Sequence, residues 1–488
     1  MAAIFSVWAT VAAILMFFSP KHVVVAVIGA TVFPLALYLS GNPRLFFLFG
    51  LFLSAPFGPS LNFMTIIHIG GSPSYSIDLI DFFIFPLLIF LVRDRLAGYR
   101  ETLRFSPVSF LWGGMIILGL LSIIIGPYRH IAGFETFRMI KCLIIFLVII
   151  NECVRLKHFD YAVMALGIGL LIQIIIGFIQ FAIKGDLGLQ GFGEASLESI
   201  KGANLGIYIQ RGSLFRIGGL MGHPNLLSAY LALLLPIFVA LLFSHKKLLP
   251  KIALGAIILS GVTALVMTLS RSGWLAFGVA VIAFMALTFL HPRMRGRFFV
   301  HRVLIIITMF AVLAAASGPV LKRIQQSNSG AISFRLEWMA VAWEMVKEKP
   351  VLGFGLNSFV YNLPGHTKYG STQGLYKKFG GVWPPVHNIF LLIWSEQGTI
   401  GLLFFLGFNF AVLRMAIRNT RLFINERLYL INVGCLCGLL ALLVDGMASF
   451  YIRVPACGRT FWIVTGLVVA IDYWNRENRN QIAPECAI

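Results

Sequence analysis

The stretch Val386 to Gly401, VHNIFLLIWSEQGTIG, decides how the chain is read. A polar loop ends there, and an apolar helix is predicted to begin with a histidine. At about 100° per residue, His387, Leu391, Trp394, Gly398 and Gly401 fall within roughly 40° of one line along that helix. The imidazole then crowns a face that carries no side chain at Gly398 and Gly401. A second helix is expected to approach closely there and hold the histidine at the membrane surface. A polar interfacial residue would also fit His387 taken alone.

Composition extends this reading to the whole chain. Of 488 residues, 59% are hydrophobic and 12% charged, and mean hydropathy is +0.88. Those values exclude an ordinary soluble domain and indicate an all-α, polytopic membrane protein. The net charge of +20 is carried by Lys and Arg that flank apolar runs, where they set orientation and meet anionic lipid. No basic tract interleaved with aromatics points to nucleic acid. Cys142, Cys153, Cys435, Cys437, Cys457 and Cys486 show no spacing that predicts a disulfide or a metal site.

Apolar runs bounded by Pro, Gly and charge predict about fourteen transmembrane helices. They cover residues 4–18, 22–39, 44–56, 77–92, 108–126, 138–150, 161–183, 225–243, 252–269, 272–290, 302–318, 387–412, 428–446 and 459–474. The first lacks the basic flank and cleavage site of a signal peptide and is expected to be retained. The stretch from Phe57 to Ser76, with its Gly-Gly-Ser-Pro, reads as a loop or as a re-entrant or interfacial segment.

Alternating the loops gathers Arg93, Arg95, Arg155, Lys157, Lys246, Lys247, Arg295, Arg414 and Arg418 on one side, which the positive-inside rule makes cytoplasmic, with both termini. Two long loops, Lys184–His223 and Pro319–Val386, then face outward. In the second, Leu336, Met339, Ala340, Trp343 and Val346 recur at helical spacing. They predict an amphipathic helix capped by Ser333 and stopped by Pro350.

Three outward cations break the charge rule: Arg211, Arg216 before Gly222-His223-Pro224-Asn225, and Arg271 in a very short turn. A cation beside a helix N-terminus is disfavoured by about 0.3–1 kcal/mol. A phosphate or pyrophosphate would reverse that sign, because N–H groups and forked guanidinium donors both match its oxygens. Pairing with lipid phosphates or loop carboxylates is the alternative for each arginine. His223 is either a helix cap or a second acid or base. Glu396 lies deep in the apolar helix and must be paired, protonated or functional. Interhelical hydrogen bonding is the expected fate of Asp78, Asp81, Glu135 and Asp445, and no cluster of carboxylates predicts a metal site.

His387-Asn388, with Gly398 eleven residues after the histidine and Gly401 three later, resembles the H-[NSQ]-x9-G-x-x-G pattern of the O-antigen ligase and O-antigen polymerase superfamily. Arg271-x-x-x-Leu275 is similar to that family's R-x3-L motif, and Arg216 stands before Gly-His-Pro-Asn as the family's other arginine does. Arg335, Trp338, Pro350, Gly353 and Gly355 extend the resemblance through the outer loop.

The resemblance implies N-terminal transmembrane helices over 1–205, a catalytic region over 206–413 that includes loop 319–386, and C-terminal helices with a cytoplasmic tail over 414–488. It implies a cofactor-free, metal-independent membrane glycosyltransferase of the bacterial inner membrane with a periplasmic site. The donor would be an undecaprenyl-pyrophosphate-linked glycan, and the acceptor a lipid A core sugar for a ligase or a second lipid-linked glycan for a polymerase. A protein O-oligosaccharyltransferase is a third relative. His387 would be the base and Arg216, Arg271 and Arg211 would bind the pyrophosphate, with His223, Asn388 and Arg335 as further candidates. From another class, a lipid-linked oligosaccharide flippase would show repeat symmetry and polar sites at the bilayer midplane. Neither is legible in the sequence.

Overall fold

The computed structural model describes residues 33–99, 102–196, 215–244, 248–296, 329–366, 384–422 and 424–482, with 302, 303, 306, 307, 317 and 318. The expected span 4–18, most of 22–39 and of 302–318, Arg211, and the loop parts 319–328 and 367–383 lie outside them.

The described chain is mainly helical, built from α1 (Pro43–Ser54), α2 (Leu79–Leu96), α3 (Val108–Ile125), α4 (Arg129–Glu152), α5 (Leu156–Ile183), α6 (Pro224–Leu242), α7 (Leu248–Met267), α8 (Arg271–Leu290), α9 (Ser329–Glu348), α10 (Phe359–His366), α11 (Ile389–Arg421), α12 (Glu426–Asp445) and α13 (Pro455–Ile482). Among the described residues, eight helices are long and apolar enough to cross a membrane: α3, α5 to α8, and α11 to α13. α1 is apolar but short. The all-α expectation needs one correction. Between α1 and α2, β1 (Ser60–Phe63) pairs antiparallel with β2 (Tyr75–Asp78), Leu61 opposite Ile77.

Helix ends follow from the local sequence. Pro43, Pro224 and Pro455 start helices where a missing N–H costs nothing. Asn42, Asn388 and Asn425 cap them through side-chain oxygens. α9 begins at Ser329 rather than at the expected cap Ser333, which is therefore inside it, and it stops before Pro350. α6, α12 and α13 are almost wholly enclosed by their neighbours.

The helices share two ends. At one, Arg44 pairs with Asp94 and with Glu152 (2.6 Å), and Arg104 with Glu477 (2.5 Å). At the other lie the β hairpin, the 268–270 turn, α9, α10 and the 446–454 loop.

The close helix crossing expected at Gly398 and Gly401 is found elsewhere. A Cβ on Gly434 or Gly438 of α12 would meet the α6 backbone, 2.4 Å from Ile237 Cα or 2.0 Å from Leu233 O. Gly398 instead breaks α11, with φ 65° and ψ −171°. Its missing Cβ makes room for backbone, since the atom would lie 2.1 Å from Val351 O. Past the break, a Cβ on Gly401 would meet its own helix, at Gln397 Cβ (2.3 Å).

Residues 350–355 take up polar groups that the break frees. Ser395 and Glu396 carbonyls accept from Phe354 N (3.0 Å) and Gly355 N (2.8 Å), and Thr399 N donates to Pro350 O (2.7 Å). A broken span needs such replacement partners.

Gly398→Ala combines a left-handed conformation, worth about 1–3 kcal/mol of strain, with a collision against Val351. It is expected to lower the unfolding temperature of the detergent-purified protein. Gly407→Ala in the same helix, whose added methyl would meet only Leu111 at 3.7 Å, is expected to leave it unchanged.

Candidate active site

At the hairpin end, three chain segments converge on Arg216. Ile217 N donates to Met267 O (3.4 Å), which lays residues 215–218 against the turn between α7 and α8. Arg216 is only 4% exposed. Its Nε donates to Thr268 O (2.7 Å) and its Nη2 to Asn225 Oδ1 (2.5 Å). A guanidinium only donates, so the Asn225 oxygen faces Arg216, and the Tyr451 hydroxyl lies close enough to Asn225 to interact with it. Burial raises the pKa of Tyr451 and keeps the phenol protonated.

Arg271 opens α8. Ser270 at its N-cap makes no side-chain capping bond, and the first-turn N–H groups of residues 271–273 have no hydrogen bond among the described residues. Next to Arg271, the Ser272 hydroxyl lies close enough to Asp445, the last residue of α12, to act on it electrostatically, and Asp445 accepts from Ser449 (2.7 Å). Arg335, half-buried on α9, lies close enough to act electrostatically on His387, Asp445 and Tyr451.

His387 stands before the N-cap of α11 and not on the helix, so the face it was expected to crown does not exist. Its Nδ1 lies 3.1 Å from Pro385 O, and its ring meets Phe450 edge-on, centroids 5.4 Å apart. A carbonyl only accepts, so Nδ1 carries the proton and Nε2 keeps its lone pair. Burial first, and then the charge of Arg335, push the His387 pKa down to about 4. The imidazole is neutral near pH 7.

Two further candidates cap helices. His223 caps α6, its Nδ1 accepting from Asn225 N (3.1 Å), so that lone pair is already used. Asn388 Oδ1 accepts from Phe390 N and Leu391 N, both at 3.0 Å, and its amide donates to Met447 O (3.1 Å).

Glu396 is paired. Its oxygens accept from Asn357 N (2.9 Å), Phe359 N (3.0 Å) and Arg453, and Arg453 also reaches Glu135 (3.0 Å). Asp78 and Asp81 pair with Lys141, at 2.6 and 2.5 Å. The segment that carries His387 is thus braced from both ends by one loop, through Ile389 N to Gly446 O (2.9 Å) above and Arg453 below.

Sequence reading passed over Asn225 as a partner of Arg216, and over Tyr451 and Arg453. The run Ser449-Phe450-Tyr451-Ile452-Arg453, polar groups set in an aromatic turn between two spans, was the available signal. Among the described residues no three His, Cys, Asp or Glu side chains converge on a metal-sized space.

Residues 255–406 match the family described as O-antigen ligase. The chain carries an O-antigen ligase family domain. That match contains Arg271, Arg335 and His387, while Arg216 precedes it. No curated protein matches the chain. The matched region resembles a family associated with glycosyl transfer, and the long apolar helices are those of a membrane protein.

Half-buried Arg271 at the uncapped start of α8, and Arg335 on α9, are the kinds of group that bind anions. Inorganic pyrophosphate is expected to raise the unfolding temperature of the purified protein, and Arg271→Ala and Arg335→Ala are each expected to reduce that rise in a thermal-shift assay.

Proposed function

We propose that this O-antigen ligase family protein transfers a glycan from a polyprenyl pyrophosphate donor to a sugar hydroxyl, with His387 as the general base. The observation that carries this reading is the tautomer of His387. With Nδ1–H committed to Pro385 O, the imidazole offers its Nε2 lone pair at neutral pH, and the nearby positive charges supply the counterpart that a leaving pyrophosphate requires.

In the proposed step the acceptor hydroxyl gives its proton to His387 Nε2 while its oxygen attacks the anomeric carbon. The bond from that carbon to the pyrophosphate oxygen breaks, and the electron pair leaves with the pyrophosphate. Arg271 and Arg335, with the open N–H groups of α8, take up the developing charge. Buried Arg216 aligns Asn225 and Tyr451 beside them. Attack opposite the leaving group inverts the anomeric centre. The donor is already activated, so no nucleotide and no metal is needed. We assign undecaprenyl pyrophosphate as the carrier, a lipid A core sugar as the acceptor and the periplasmic face of the inner membrane as the location. These assignments rest on the family resemblance and on the positive-inside rule.

His387→Ala is expected to cut glycan transfer by about 10²–10⁴-fold with normal membrane insertion, and EDTA is expected to leave transfer intact. Undiminished transfer by His387→Ala removes it as the base. Deleting the gene separates the acceptors. Long polymer accumulating on its lipid carrier beside bare core marks a ligase, whereas single repeat units mark a polymerase.

The neutral imidazole is the active form, so activity is lost as pH falls through the pKa of about 4. Arg335→Gln removes a charge that lowers this pKa, and its acid limb is expected to move to higher pH in a pH–rate profile.

A further inference from the structure

The β hairpin has no role in the site described above, and its surface is unusual. Residues 55–77 contain no Lys, Arg, Asp or Glu. The pairing register puts Leu61, Phe63, Tyr75 and Ile77 on one face and Ser60, Asn62, Ser76 and Asp78 on the other. Of the apolar face, only Tyr75 is packed against the bundle, edge-on to Phe134 and Phe137 of α4. Leu61 is 66% exposed, Phe63 51% and Ile77 51%, and Ile67 in the turn is 81% exposed.

This face runs alongside the helices rather than above them. Ser76 O and Asp78 are held by Lys141 (2.8 and 2.6 Å), which is about 18 Å along α4 from Arg129. Ser72 N is held by Glu135 (2.9 Å).

The flanking helices are too short for a bilayer. α1 has 12 residues, about 18 Å, and the apolar run of α2 from Leu79 to Arg93 spans about 21 Å. Both fall about 10 Å short of the roughly 30 Å hydrocarbon layer. The hairpin continues from the ends of both at this point. Phe82, Phe85 and Ile89 of α2 and Phe137 and Ile140 of α4 are exposed as well, and Phe137 meets Tyr75 of the hairpin.

We propose that the Ser60–Asp78 hairpin is seated among the acyl chains of the leaflet at the His387 end, where it completes the hydrophobic thickness that α1 and α2 leave uncovered. On its polar face Asp78 is satisfied by Lys141 and Arg459, while the exposed Ser60 and Asn62 meet headgroups and water. The seat also reaches the site. Gly70 in the hairpin turn has φ +106°, and a Cβ there would lie 2.6 Å from Pro385 Cβ, so the lipid-held turn packs beneath the residue whose carbonyl orients His387.

The test uses the full chain in lipid nanodiscs with Cys486 replaced by serine, the five other cysteines being buried. An environment-sensitive fluorophore is attached to Leu61→Cys or Ile77→Cys, and to Ser60→Cys on the polar face. The first two are expected to emit at shorter wavelength and to be quenched by a nitroxide on the upper acyl chain more than by aqueous iodide, with Ser60→Cys reversed. Water-like emission and iodide quenching at Leu61 and Ile77, equal to Ser60, would overturn the proposal. Two independent positions whose side chains are not packed in the protein guard against one variant that does not fold.

Discussion

The break in α11 at Gly398 is the constraint on which the rest of this end of the molecule depends. A helix interrupted inside a membrane exposes carbonyl and N–H groups that lipid cannot satisfy. Here the segment after α9 supplies partners, Phe354 and Gly355 on the His387 side of the break and Pro350 beyond it. Gly353 and Gly398 are both in the left-handed region, and a Cβ on either would collide with the other segment's backbone. The loop that carries α9 is therefore stitched to the helix segment that follows His387.

That stitch has electrostatic consequences. Once Glu396 is turned to the buried side, it accepts two backbone N–H groups of residues 357–359 and the guanidinium of Arg453, which joins it to Glu135 on α4. Breaking such a buried pair by removing one partner costs about 3–5 kcal/mol, so the arrangement is fixed by cost as well as by fit. The outcome is a short helix braced at both ends, with an imidazole held above it in one tautomer. Arg335 is delivered by the loop that the stitch holds in place. Arg216 and Arg271 come from the other side of the site, on backbone tied to the turn between α7 and α8.

The sequence made much of this legible, and its failures have physical reasons. Long apolar runs between charges located α3, α5 to α8 and α11 to α13, the described helices of membrane-spanning length, because composition alone makes a span, but α11 runs on to Arg421 past its expected end at 412, and α10 lies in a stretch read as irregular loop. Motif spacing brought Arg216, Arg271, Arg335 and His387 to one end. The role of Gly398 was misread because a glycine that admits a neighbouring helix and one that takes a left-handed break look alike in sequence. Gly434 and Gly438, four residues apart in an unbroken apolar run, carried the plainer signal for close helix contact. Arg453 acts through partners far away in the chain, and Asn225 meets Arg216 only because residues 215–218 fold against the turn between α7 and α8, so no local pattern encodes either pairing. The hairpin was half legible. Its lack of charge set it apart from an ordinary loop, but strands of four residues leave too short an alternation to read.

The account stands on the His387 end of the bundle facing away from the cytosol, where a lipid-linked glycan would be joined to its acceptor. The most direct measurement is cysteine labelling at two exposed positions of opposite ends, Met447 beside Asn388 and Leu248 at the start of α7. In intact spheroplasts, Met447→Cys should react with a membrane-impermeant thiol reagent, and Leu248→Cys only after permeabilisation. Labelling of Leu248→Cys from outside, with Met447→Cys protected until the membrane is opened, would contradict the account.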